Sequence, residues 1–348
     1  MSPLQTGLIV FGAVLLLGML AYNSWQARRN TPRRARSDPL EASIEPTWDS
    51  LLVRDPADPD ASLPGLDALP VLGQSTYLDP LIDAIAAVAL EGHGISGDAL
   101  LAALPATRRV GSKPFAVEAC PQGATAWEFP VAGRHYDRLQ VGVQLANRTG
   151  AITEIEYSEF VVVARRYADA VGGEPQFPDM LEEVARAREL DQFAREHDAV
   201  LHFAIRARGL RWSVGYVAQQ ARQLGLVAGV GPGRMVLPSE VPQQPPVLEL
   251  NFDVPAAADA DLAQQAVTLV TLGFDVPCVL RSEQPWERLC TLAFALAEAM
   301  GGEVADRAGR PLGEDALGAI AADLDRLYDA LEQHGLPAGA PETRRLFG

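Results

Sequence analysis

Five histidines (His93, His135, His197, His202 and His334) and three cysteines (Cys120, Cys278 and Cys290) are the residues of this 348-residue chain best suited to metal or nucleophilic chemistry. Their spacing does not support it. No two histidines stand at i, i+4 and no cysteines form C-x-x-C, so neither set has the spacing of a metal site. The cysteines read as reduced thiols that pack as small hydrophobes. His202 falls inside an apolar strand and reads as a structural or surface residue. Gly229-Val-Gly-Pro-Gly233 has the glycines of a phosphate loop, but Pro232 removes an amide donor and no helix follows. Neither G-x-x-x-x-G-K-[ST] nor G-x-S-x-G occurs. Glu182, Glu183, Asp323 and Asp325 sit among arginines at helical spacing, as on a solvated face with i, i+4 pairs. The expectation is no enzyme, no cofactor, no metal and no small-molecule substrate. The formal charge of −16 argues against broad binding to nucleic acid, so no nucleic acid is expected either.

The elements come next. Gly7 to Trp25 is uncharged and long enough to span a bilayer, with Leu15 at its centre and Tyr22 and Trp25 at its edge, where aromatic rings favour the interface. Arg28, Arg29, Arg33, Arg34 and Arg36 follow it, which puts the N-terminus outside and the bulk of the chain in the cytoplasm. Residues 1–27 are thus read as a transmembrane anchor. Residues 28–76, rich in Pro, Asp and Ala, read as a flexible linker that cannot bury enough apolar surface to order itself. Within it, Ile44-Glu-Pro-Thr-Trp-Asp-Ser-Leu-Leu52 is more apolar. It is either a short element docking on the folded part or a locally sticky linker.

The body carries a duplication. Leu139 to Gly173 overlies a second segment 129 positions later without a gap. Val141, Val143 and Leu145 fall on Val270, Leu272 and Phe274. Phe160, Val163, Ala164, Tyr167 and Val171 fall on Leu289, Leu292, Ala293, Leu296 and Met300, in each case one helical face. Gly172-Gly173 falls on Gly301-Gly302, where a helix ends on a residue free to take positive φ. The front halves match at another offset. Strand Pro80–Val88 and N-cap Ser96 correspond to strand Ala199–Ile205 and N-cap Ser213. The chain therefore reads as α+β. Two tandem two-layer domains are expected at 77–197 and 198–335, each a mostly antiparallel sheet with helices on one face, followed by a tail, 336–348. The Pro-rich stretch Leu237–Pro246 is expected as a loop between strands.

The second copy carries the pattern V-T-L-x-F-x-V-P over residues 270–277, the helix end Ala297-Glu-Ala-Met-Gly-Gly-Glu-Val304, and Arg310-Pro-Leu-Gly-Glu-Asp-Ala-Leu317. These motifs resemble the FtsZ-binding domain of the ZipA family of bacterial cell division proteins, which are similarly anchored with a short outside N-terminus. The resemblance implies a septum-assembly adaptor that tethers FtsZ polymers to the inner membrane. In that family the sheet face left open by the helices takes the FtsZ C-terminal tail, an extended piece plus a helix. Strand alternation places Leu201, Phe203, Ile205, Leu248, Leu250, Phe252, Val254, Val270, Leu272, Phe274 and Val276 toward the core. The open face is then His202, Ala204, Arg206, Val247, Glu249, Asn251, Asp253, Thr271, Gly273 and Asp275, which are the expected partner-binding residues. Gly273 stands where the family carries a bulky aromatic. It either opens a pocket for a partner side chain or marks a lost cleft. The alternative function is a membrane-anchored scaffold of the same fold that holds another division or envelope protein. The family's linker is long; this one is short.

Overall fold

The computed structural model describes residues 77–348 except 91, 93, 232, 253–264, 307 and 308. The expected span with Gly7, Leu15, Tyr22 and Trp25, the arginine cluster, the linker and Asp253 lie outside the described residues. Among the described residues no helix is long and apolar enough to cross a membrane. The fold is α+β with antiparallel sheets. The described residues divide into two compact units, 77–198 with 327–348, and 199–326.

The first unit contains β1 (Asp83–Leu90), β2 (Ile95–Ser96), α1 (Gly97–Ala103), β3 (Arg109–Val110), β4 (Lys113–Pro121) and β5 (His135–Gln144). A hairpin of β6 (Ala146–Asn147) and β7 (Gly150–Ala151) leads to α2 (Glu154–Val171), β8 (Gly173–Gln176) and α3 (Met180–His197). Its sheet runs in the order β3-β4-β5-β1-β8, with β2 added to β5. The register aligns Phe115, Val143 and Ala84, then Val117, Val141 and Ala86, as buried rows on one face. That face packs on α2, where Phe160 meets Phe115 at a ring separation of 6.2 Å. Tyr157, Phe160, Ala164 and Tyr167 of α2 are buried on one face of the helix, as their spacing dictates.

The second unit begins with β9 (Val200–Ala207), β10 (Trp212–Ser213), α4 (Val214–Gln223), β11 (Val227–Ala228), β12 (Arg234–Leu237) and β13 (Leu248–Phe252). It continues with β14 (Ala266–Val267), β15 (Leu269–Asp275), α5 (Pro285–Met300), β16 (Gly302–Ala305) and α6 (Glu314–Gln333), which starts here. The sheet order is β11-β12-β13-β15-β9-β16. Leu250, Leu272 and Phe203 form one buried row, and Val270, Ile205 and Val304 lie on the same face. Trp286 of α5 packs edge-on against Phe203 at 5.6 Å. The Pro-rich stretch connects β12 to β13. Glu283 holds it there, accepting from Ser239 Oγ at 2.6 Å and from the amides of Glu240 and Val241.

The units repeat one another in detail. The order β5-β1-β8 recurs as β15-β9-β16. Ser96 and Ser213 cap α1 and α4 by accepting from Ala99 and Tyr216 amides. Gly172 and Gly301 close α2 and α5 at φ 68° and 65°.

Three details differ from the sequence reading. The hydrophilic stretch Glu303–Pro311 reads in the sequence as a short loop, yet Glu303–Ala305 is part of edge strand β16 paired with β9; four residues are too few to display alternation. Helix α5 starts at Pro285, four positions before the first periodic residue, because Pro suits the first helical turn. Residues 336–348, read as a tail, carry α7 (Pro341–Phe347) and bury Leu336, Leu346 and Phe347 completely or nearly so. With the last turns of α6, from Leu327 on, they belong to the first unit.

Candidate functional site

The second unit's reverse sheet face is built by alternation from β13, β15 and β9. The register sets Glu249, Gly273 and His202 side by side, and Asn251, Thr271 and Ala204 beside them. Arg206 lies one row further, opposite Leu269 and Glu303. Seven of the expected residues are thus brought together on three strands. His202 and Arg206 are exposed, while Glu249, Asn251, Thr271 and Asp275 are half-buried. Val247 is fully buried just before β13, its amide bonded to the Leu237 carbonyl. Asp275 closes β15 opposite Val200.

Gly273 does not floor a pocket. A Cβ there would come within 2.2 Å of His202 Nδ1 and 2.1 Å of the Leu201 carbonyl oxygen. The imidazole already occupies the space above the glycine, and the strands approach too closely for a larger residue. Arg234 pairs with Glu249 across the rim, and Arg206 lies against Gly309. The face is polar and charged, not an apolar cleft.

The first unit holds an equivalent face in a different state. Asp83 pairs with Gln144 in the sheet, and adding 129 to Gln144 gives Gly273, so Asp83 holds the place of His202. Here the chain itself sits on the face. Arg345 of α7 reaches Asp83 with a two-pronged ion pair at 2.5 and 2.9 Å, and Gln144 Nε2 donates to the Arg345 carbonyl at 2.7 Å. The Arg345 guanidinium also stacks 3.9 Å from the Tyr77 ring and donates to the Tyr77 carbonyl. Further along, buried Glu118 accepts from the Tyr77 and Leu78 amides and from Gln140 Nε2. Leu78 lies so close over Gly142 that a Cβ there would approach its Cδ2 to 2.6 Å. Burial pushes the Asp83 carboxyl up from its ordinary range, against the pull of Arg345.

Burial lowers the Lys113 ammonium, which donates to Asn147 Oδ1 at 2.8 Å and Thr149 Oγ1 at 3.2 Å and fastens the β6–β7 hairpin. Burial pushes the Cys290 thiol up to about 11, which makes it a poor nucleophile. Among the described residues no group of His, Cys, Asp and Glu could hold a metal ion.

The occupant of the first unit's face escaped the sequence reading because Arg345 and Asp83 are 262 positions apart. A doublet of arginines before Leu-Phe carries no local sign of its partner. No family model and no curated protein matches the chain.

Proposed function

We propose that this chain is a membrane-anchored adaptor of cell division resembling the ZipA family, which tethers FtsZ polymers to the cytoplasmic face of the inner membrane. One observation supports this reading above the others. The first unit's sheet face carries the chain's own C-terminal segment, a turn at Pro337–Ala340 followed by the short helix α7, and a single basic anchor locks that helix. The tail that the family's open face takes likewise includes a helix. The equivalent face of the second unit, with His202, Thr271 and Asn251, is therefore assigned to a tail from outside. Weak binding at one such face becomes effective along a polymer through avidity.

The polarity of that face, with His202 seated over Gly273, favours a second reading. A fold of this type with its apolar cleft replaced would hold a different division or envelope partner.

The test is fluorescence anisotropy of a labelled peptide of the host's FtsZ C-terminal tail with the full chain in detergent micelles. Adaptor function predicts micromolar binding, weakened at least tenfold by the double variant Asn251→Arg/Thr271→Arg with the fold intact by circular dichroism. Binding unaffected by those changes removes the assigned face. No binding by the folded chain leaves the scaffold reading. Binding that emerges only after residues 336–348 are deleted moves the site to the first unit.

A further inference from the structure

The outer edge of β4 in the first unit is paired at two places and bare between them. Phe115 donates its amide to the Arg108 carbonyl, and Ala119 exchanges both backbone bonds with Glu128. Val117 lies midway, its backbone turned to the same edge by alternation. Its N–H and C=O bond to nothing among the described residues, although the residue is 4% exposed. A buried backbone pair without partners is rare and costly. Beside it opens a cavity of about 300 Å³. Leu101 of α1 and its C-cap Leu104 form one wall, and Tyr77, Phe129 and Pro130 form the other. Phe129 is 47% exposed and Leu101 38%, so the apolar lining faces outward. The lining's one charge is Arg108, exposed and without an ion pair among the described residues.

We propose that this groove is the seat of the chain's own segment Ile44–Leu52, which adds a short extended piece at Val117 and inserts Trp48 into the cavity. Four features select this occupant. The N-terminal stretch outside the described residues runs to Thr76, and Tyr77, the next residue, is itself part of the groove wall. The 24 residues between Leu52 and Tyr77 span roughly 25–30 Å as a coil, so the segment is held at a high local concentration. An aromatic side chain is the size of object that such a cavity takes, and it buries about 150–250 Å². Glu45 and Asp49 flank Trp48 with no basic residue in the segment, which complements Arg108. Backbone bonds at a bare strand edge give affinity, and the side-chain pocket gives selectivity. The anchor is thereby joined to the folded body at Leu52, 25 positions before Tyr77.

Amide hydrogen exchange on the full chain in detergent micelles tests this. The Val117 amide is expected to be protected in the parent chain and to exchange at least tenfold faster in Trp48→Ala/Leu51→Ala. The Ala119 amide, bonded to Glu128, is expected to stay unchanged in both. Leu101→Asp, placed at an exposed wall position so that the fold survives, is expected to release Val117 in the same way. Equal Val117 exchange in parent and double variant overturns the proposal. Fast exchange in both marks an empty groove, and slow exchange that weakens on dilution marks a second copy. Release by Leu69→Asp/Val71→Asp but not by Trp48→Ala/Leu51→Ala assigns the groove to the wrong segment.

Discussion

Asp83 and Arg345 form a pair in which neither charge has much access to water, at 0% and 13% side-chain exposure. Removing one partner strands the other charge in the protein, a change that costs about 3–5 kcal/mol. Arg345→Met is therefore expected to lower the first unit's unfolding free energy, read from urea titration, by that amount. The double variant Asp83→Leu/Arg345→Met should recover much of it, because two apolar groups leave no orphaned charge. Glu156 works differently. Burial raises its carboxyl, but the backbone and side-chain bonds from Thr153 and Ser112 outweigh that and hold it below the ordinary value. A carboxyl lowered in the fold contributes stability above its unfolded value of about pH 4.3 and loses it as the pH falls through the folded one. Glu156→Gln should thus cost about 1 kcal/mol at pH 7, as expected for a damaged capping box, and flatten the acid limb of the unfolding curve.

Among the elements, the duplicated helix ends carry the clearest expectation. Nothing lies within 4 Å of a Cβ built at Gly172, so Gly172→Ala should cost only the left-handed backbone preference, about 1–2 kcal/mol in thermal unfolding. Gly301, at the equivalent place with φ 65°, should respond alike. These ends were legible in the sequence because the glycine pair follows a periodic helix at the same distance in both copies. The core rows of β9, β13 and β15 were legible too, since alternation over five to eight residues fixes which side faces inward. Short strands β8 and β16 were not, and neither was the destination of α7, because each depends on a distant surface. The candidate face was legible only as a set of positions. That His202 fills the space over Gly273 follows from the close approach of two strands, which no single strand's pattern contains.

For the molecule as a whole, the membership of residues 327–348 is decisive. Deleting 336–348 removes Leu336, Leu346 and Phe347 from the first unit's core, each worth about 1.5–3 kcal/mol when buried. Calorimetry of the truncated chain should show the first unit's transition lost or lowered by well over ten degrees and the second unit's unchanged. Loss of both transitions together would show that the units do not melt separately. The same membership orders events during synthesis. Residues 199–326 are complete while the first unit still lacks its final strap, so the copy that is later in sequence is the first able to finish folding. A ribosome that stops early releases a chain whose second unit is sound and whose first unit exposes the bare seat of Leu346 and Phe347. Such a product presents that apolar seat to proteases, and α7 acts as the seal that covers it.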